Sequence, residues 1–137
     1  MRRTMRLVVL MTVALLAGCA SQIRSDSLTT TLKAYASTLR WGDFATAAQF
    51  VAPETLRAHP LTNLDMARYQ QVRVTDYNDD AGPVPVSDTE VRQNVSISLV
   101  NVNTQAERTI IDNQVWHYDA ASKHWWLASG LPDITRP

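Results

Sequence analysis

From residue 27 onward, apolar positions first recur at helical spacing and then alternate. Leu28, Leu32, Tyr35 and Leu39 stand four, three and four residues apart, which sets them on one stripe of a helix. The spacing predicts a helix over 27–41, with Ser27 capping its start and Gly42 supplying a left-handed residue at its end. Asp43 offers an N-cap for a shorter helix carrying Phe44, Ala47, Ala48 and Val51. Pro53 followed by Glu54 predicts one more helical turn, to residue 58. After His59-Pro60 the period changes. Val72 and Val74 alternate with Gln71, Arg73 and Thr75, predicting a strand over 72–77. From Thr89 onward Val91, Val95, Ile97 and Leu99 share one face, while Glu90, Arg92, Asn94, Ser96 and Ser98 share the other, the pattern of a sheet buried on one side. Two further strands are predicted over 107–118 and 123–128. The connections at 101–105 and 119–122 are short, which implies antiparallel hairpins. Helices first and strands after predict an α+β fold, with N-terminal helices packed on a curved antiparallel sheet of about four strands and a single domain over 27–137.

The residues ahead of this domain follow a different pattern. Arg2, Arg3 and Arg6 open the chain without an acidic residue, and an apolar run broken only by Thr12 extends over 7–17. It is short of the roughly 20 residues a spanning helix needs and has the layout of an export signal. The signal ends on Leu16-Ala17-Gly18-Cys19, which resembles the lipobox of bacterial lipoproteins. The resemblance implies that residues 1–18 are removed, that the Cys19 thiol receives a diacylglycerol through a thioether, and that the new amino group is acylated. At roughly 0.8 kcal/mol per buried methylene, two or three acyl chains make a durable membrane attachment where one does not. Residues 19–26 then form a lipidated tether. Its seven residues beyond the cysteine, 20–26, reach less than about 25 Å when fully extended, so the domain rides close to its membrane. Ala20 stands after the cysteine where retained lipoproteins carry aspartate, which implies an outer-membrane location facing the periplasm.

Charge and cysteine content narrow the choice further. The full chain has 13 basic and 13 acidic residues; without the three signal arginines, ten basic residues face thirteen acidic ones, a formal charge of −3. No basic cluster is present to follow a phosphate backbone, so nucleic acid is not an expected partner. Cys19 is the sole cysteine; the domain therefore folds on its core without a disulfide.

A helix ending in Leu39-Arg40-Trp41-Gly42-Asp43-Phe44 with Ala47-Ala48 beyond, followed by long antiparallel strands that close on Trp125-Trp126-Leu127, resembles the NTF2-like superfamily, also described as cystatin-like. The resemblance covers nearly all of 27–137 and implies a cone in which a curved sheet wraps a helix. That superfamily includes isomerases, dehydratases, non-catalytic assembly domains and envelope lipoproteins, so it widens the functional choice. Its enzymes place a proton-moving carboxylate or histidine and an acid or tyrosine donor in the mouth of the cone, between apolar walls that shift their pKa values.

No position here matches a catalytic motif of that superfamily, and no catalytic residue is assigned. Tyr35, Tyr69, Asp112 and His59 are the polar groups available for such chemistry, with a structural hydrogen bond or solvation as the default for each. A two-residue turn at Ala120-Ala121 would oppose His117 to His124 and Trp116 to Trp125. The histidine pair lacks a third ligand of the kind a zinc site takes, and neither metal nor cofactor is expected. Tyr35, Trp116, Trp125 and Trp126 are the candidate contacts for a ligand or partner. Trp126 must point opposite to Trp125 in a regular strand. The expectation is a lipid-anchored envelope domain that binds a protein or small ligand without catalysis; the alternative is an isomerase or dehydratase using the cone.

Overall fold

The computed structural model describes the backbone of residues 2–136 and the side chains of residues 18–136. The basic and apolar side chains behind the export-signal reading of residues 1–17 lie outside that range. The order is α1 (Arg2–Trp41), α2 (Phe44–Ala47) running into a 3₁₀ turn (Ala48–Phe50), α3 (Pro53–Ala58), α4 (Asn63–Tyr69), β1 (Val72–Asn78), β2 (Val84–Pro85), β3 (Glu90–Asn101), β4 (Glu107–Asp119) and β5 (His124–Leu127). The fold is α+β, a helix held in the hollow of a curled antiparallel half-barrel. Among the described residues no helix is long and apolar enough to cross a membrane.

The sheet order is β1-β3-β4-β5, with β2 beside β3. β3 and β4 form its spine, paired from Glu90↔His117 to Val100↔Glu107. β1 pairs with one end of β3 and β2 with the other, along the same edge. A bulge between Val74 and Asp76 has a definite consequence. Val74 and Tyr77 are three residues apart and both buried, which strict alternation forbids; the extra residue turns Tyr77 back onto the concave face.

The apolar stripe of α1 fills the hollow as expected. Leu32, Tyr35 and Leu39 are buried with Leu28 packed beside them, against Val95, Ile97, Leu99, Ile110, Trp116, Trp125 and Leu127 of the sheet. The short helices cross one end. Asp43 caps α2 by accepting from the Thr46 amide at 2.6 Å, and Pro53 opens α3. The Ala52 amide donates to the Leu127 carbonyl at 2.9 Å and the Thr55 hydroxyl to that of Ala128 at 3.0 Å, fastening this end to β5.

Four differences from the expected layout have physical causes. The helix does not begin at Ser27 but continues through it, since residues 20–26 contain neither proline nor glycine, Gln22 reaches Asp26 one turn on at 3.0 Å, and the Trp125 indole donates to the Arg24 carbonyl at 3.1 Å. Gly42 does not take a left-handed φ; it is needed because a Cβ there would stand 2.8 Å from the Thr38 carbonyl oxygen. Helix α4 was not expected; its signal is Thr62-x-x-Asp65, which forms a complete capping box. The two-residue β2 is too short for periodicity to reveal.

The β4–β5 hairpin is offset by two residues from the expected register. The loop is longer than Ala120-Ala121 because Asp119 accepts from the Ala121 amide and the Ser122 hydroxyl and Lys123 takes φ 53°. The pairs are Trp116↔Leu127, His117↔Trp126, Tyr118↔Trp125 and Asp119↔His124. An offset of two preserves which side chains share a face, so Trp116 and Trp125 remain on the concave side without opposing each other, and His117 and His124 are not partners.

Leu39→Ala should destabilise the protein by about 2–5 kcal/mol, whereas Trp41→Ala, two residues on and 79% exposed, should change stability by less than about 0.5 kcal/mol. Chemical denaturation of the two variants checks this.

Candidate functional site

Strand β4 carries two of its polar residues inward. Asp112 and Gln114 have the same parity as Ile110 and Trp116, so all four face the hollow and all four are buried. Gln93 lies across from Gln114 on β3 and Tyr77 reaches in from β1. The Gln114 amide is the hub. Its Nε2 donates to the Asp112 Oδ2 at 2.8 Å and to the Tyr77 hydroxyl at 3.0 Å, while its Oε1 accepts from the Trp116 indole at 3.1 Å and from the Gln93 amide at 3.4 Å. Both donors and the carbonyl oxygen are used, as burial demands.

Tyr35 enters the same region from α1. Its ring meets Trp116 edge-on at 5.3 Å and Phe50 at 5.5 Å, while its hydroxyl is buried without a hydrogen-bond partner among the described residues. Burial first, and then the neighbouring Asp112 charge, push its pKa well above the ordinary tyrosine value. Burial likewise raises Tyr77, offset in part by the Gln114 bond, and raises Tyr69 to about 12. Asp112 is pushed up to about 6 by burial, with the Gln114 hydrogen bond opposing the shift. Tyr35, Tyr77 and Asp112 thus form one electrostatic neighbourhood inside the hollow, filled by the side chains that make it.

Residues 128–136 cross beside this interior. Pro132 is fully buried and Ile134 nearly so; the Tyr69 hydroxyl donates to the Pro132 carbonyl at 3.0 Å, and the Arg108 guanidinium donates to that of Ile134. Two hollows flank the segment. One, of 260 Å³, lies between α3, α4 and residues 129–131, where His59 and Tyr69 line it. The other, of 530 Å³, runs between residues 109–113 of β4 and the segment, with Asp112 in its wall.

The candidate contact residues separate into two environments. Tyr35, Trp116 and Trp125 are core side chains. Trp126 is half-buried on the opposite face of the sheet, its ring 4.3 Å from that of His124. His117 pairs with Glu90 at 3.1 Å. Cys19 is exposed on α1, five residues before Arg24. Gln93, Gln114 and Tyr77 were missed as interior polar groups; for Gln93 and Gln114 the signal was parity, which they share with Val91 and Val95 and with Trp116.

The fold and this interior define an α+β half-barrel whose hollow holds a helix and a hydrogen-bonded polar knot. The chain matches no family model, and neither a curated protein nor a solved structure matches it.

Because Asp112 binds its proton more tightly folded than unfolded, the folded state is favoured at low pH. That advantage is lost as pH rises from about 4 through about 6. Asp112→Asn should remove this loss and raise stability at pH 7 by about 1–3 kcal/mol, with little gain at pH 4; denaturation at both pH values checks it. Tyr35→Phe deletes a hydroxyl with no partner among the described residues and should be neutral or stabilising.

Proposed function

We propose that the chain is an envelope lipoprotein, anchored through lipid on Cys19 and acting by binding instead of catalysis, with a domain of NTF2-like character. The observation that carries the reading is the position of Cys19, exposed on α1 and directly after the small residues of a lipobox-like sequence. It stands five residues before the Arg24 carbonyl that Trp125 holds, a span of about 7.5 Å in a helix. The polar interface of a bilayer is only about 5–8 Å deep on each side. The attachment therefore sets the β4–β5 turn beside the lipid headgroups, with no flexible tether between.

The binding reading is supported by how the hollow is filled. Tyr35, Trp116 and Gln114 have no more than about 1% of their surface exposed, and the polar atoms around Gln114 bond to one another. Ala20 after the cysteine favours the outer membrane. The alternative, an isomerase or dehydratase, draws on the Tyr35 hydroxyl, which has no partner among the described residues, beside an acid pushed up to about 6 by burial. It requires a substrate to open the packed interior, and a steroid or enone probe shifting the Trp116 indole resonance would favour it.

In membrane fractions, the N-terminal peptide should begin at Cys19 and carry the mass of a diacylglycerol and an acyl chain. Cys19→Ala should lose both the mass and the membrane association. A wild-type chain that keeps Met1 unmodified contradicts the anchor.

A further inference from the structure

The sheet has an unfinished edge. Strand β5 covers β4 only from Trp116 to Asp119, and the ladder ends where the Ala128 amide donates to the Val115 carbonyl at 2.8 Å and the Val115 amide donates to the Ser129 hydroxyl at 3.1 Å. Beyond that point residues 129–136 swing away from β4. Backbone direction alternates along a strand, so Thr109, Ile111 and Asn113 aim their amides and carbonyls the same way as Val115, away from β3. Among the described residues nothing bonds to them. Ile111 is 62% exposed.

These unpaired groups form one wall of the 530 Å³ hollow, and Ser129, Leu131 and Arg136 stand on the facing side. An open edge flanked by a wall is a slot for a single extended chain. Its length, five residues at about 3.4 Å each, is about 17 Å, and a strand would settle about 4.8 Å from β4.

The slot also has a charge to match. Asp112 lines the hollow, and one of its carboxylate oxygens accepts from Gln114. Among the described residues no cation pairs with it, because Arg136 across the slot is bound to Asp133 at 3.1 Å. We infer that the free edge of β4 takes an extended peptide of a partner protein by strand addition. The peptide residue opposite Asp112 is basic and points to the concave side, and its two neighbours, apolar, lie on the convex side beside Ile111 and Asn113. The assignment rests on the binding reading of the domain and not on lipidation.

The test uses the full chain in detergent micelles with the peptide acetyl-Thr-Val-Lys-Val-Thr-amide, followed by NMR. Saturable shifts and slowed exchange at the Ile111 and Asn113 amides, the outward amides opposite the peptide, are expected. Asp112→Asn, or norleucine in place of the peptide lysine, should weaken binding about fivefold. Ile111→Pro removes one outward amide and leaves the β3–β4 ladder its bonds; it should abolish the shifts while core resonances persist. Should Ile111→Pro fail to fold, the aspartate and norleucine pair still decides. No change at these amides up to about 10 mM peptide overturns the assignment. So does lysine-independent binding, or protection in the free protein that grows with its concentration, which would give the edge to a second copy. None of these outcomes touches the mass of the Cys19 peptide, so failure of the slot and failure of the anchor are read separately.

Discussion

A curled sheet cannot close over its own hollow when it stops at a half-barrel, and everything else in this protein follows from α1 occupying that space. Leu32, Tyr35 and Leu39 present the helix to Val95, Ile97, Leu99, Trp116 and Leu127. Each large apolar side chain withdrawn from water contributes about 1.5–3 kcal/mol, and no disulfide shares the task. The same contact fixes the sheet. Trp116 sits edge-on to Tyr35, and Trp125 bonds to the backbone of α1 at Arg24, so the curvature of β4 and β5 and the placement of the helix are one arrangement.

Within this apolar contact lies a polar group that a core built for stability alone would not hold. Gln114 joins β1, β3 and β4 through Tyr77, Gln93, Asp112 and Trp116. Satisfied hydrogen bonds make the knot tolerable, and its geometry permits only one register of the three strands. Asp112 remains costly, since burial raises its pKa and, among the described residues, no cation offsets it. It also lines the slot left where residues 129–136 depart from β4, so the least comfortable charge of the core is the one that the inferred strand would meet.

The periodicity of the chain made the main elements legible because burial on one side leaves a mark at every second or every third to fourth residue. Val91, Val95, Ile97 and Leu99 marked the concave face, and Leu28 through Leu39 the helix stripe. Polar interior residues left the same parity without the hydrophobic signature, so Gln93 and Gln114 passed unnoticed. Tyr77 was hidden by a bulge, which shifts parity within a strand. The hairpin register was missed because Asp119 builds an Asx turn and Lys123 adopts a positive φ, a choice that local bonds make and alternation cannot report. The helical state of residues 20–26 was illegible for a related reason. Residues 20–26 carry no apolar stripe; they are helical because α1 is held to Trp125.

That hold decides whether the segment after Cys19 and the half-barrel move as one body. The direct measurement is hydrogen exchange at the two buried indoles, Trp116 donating to Gln114 and Trp125 donating to Arg24. If α1 fills the hollow from Arg24 onward, both protons exchange only on global unfolding and share one denaturant dependence. Free exchange at Trp125 with Trp116 protected would mean that the start of the helix is undocked and the domain hangs on a flexible tether. Free exchange at Trp116 would mean that the hollow is open to water, contradicting the packed interior itself.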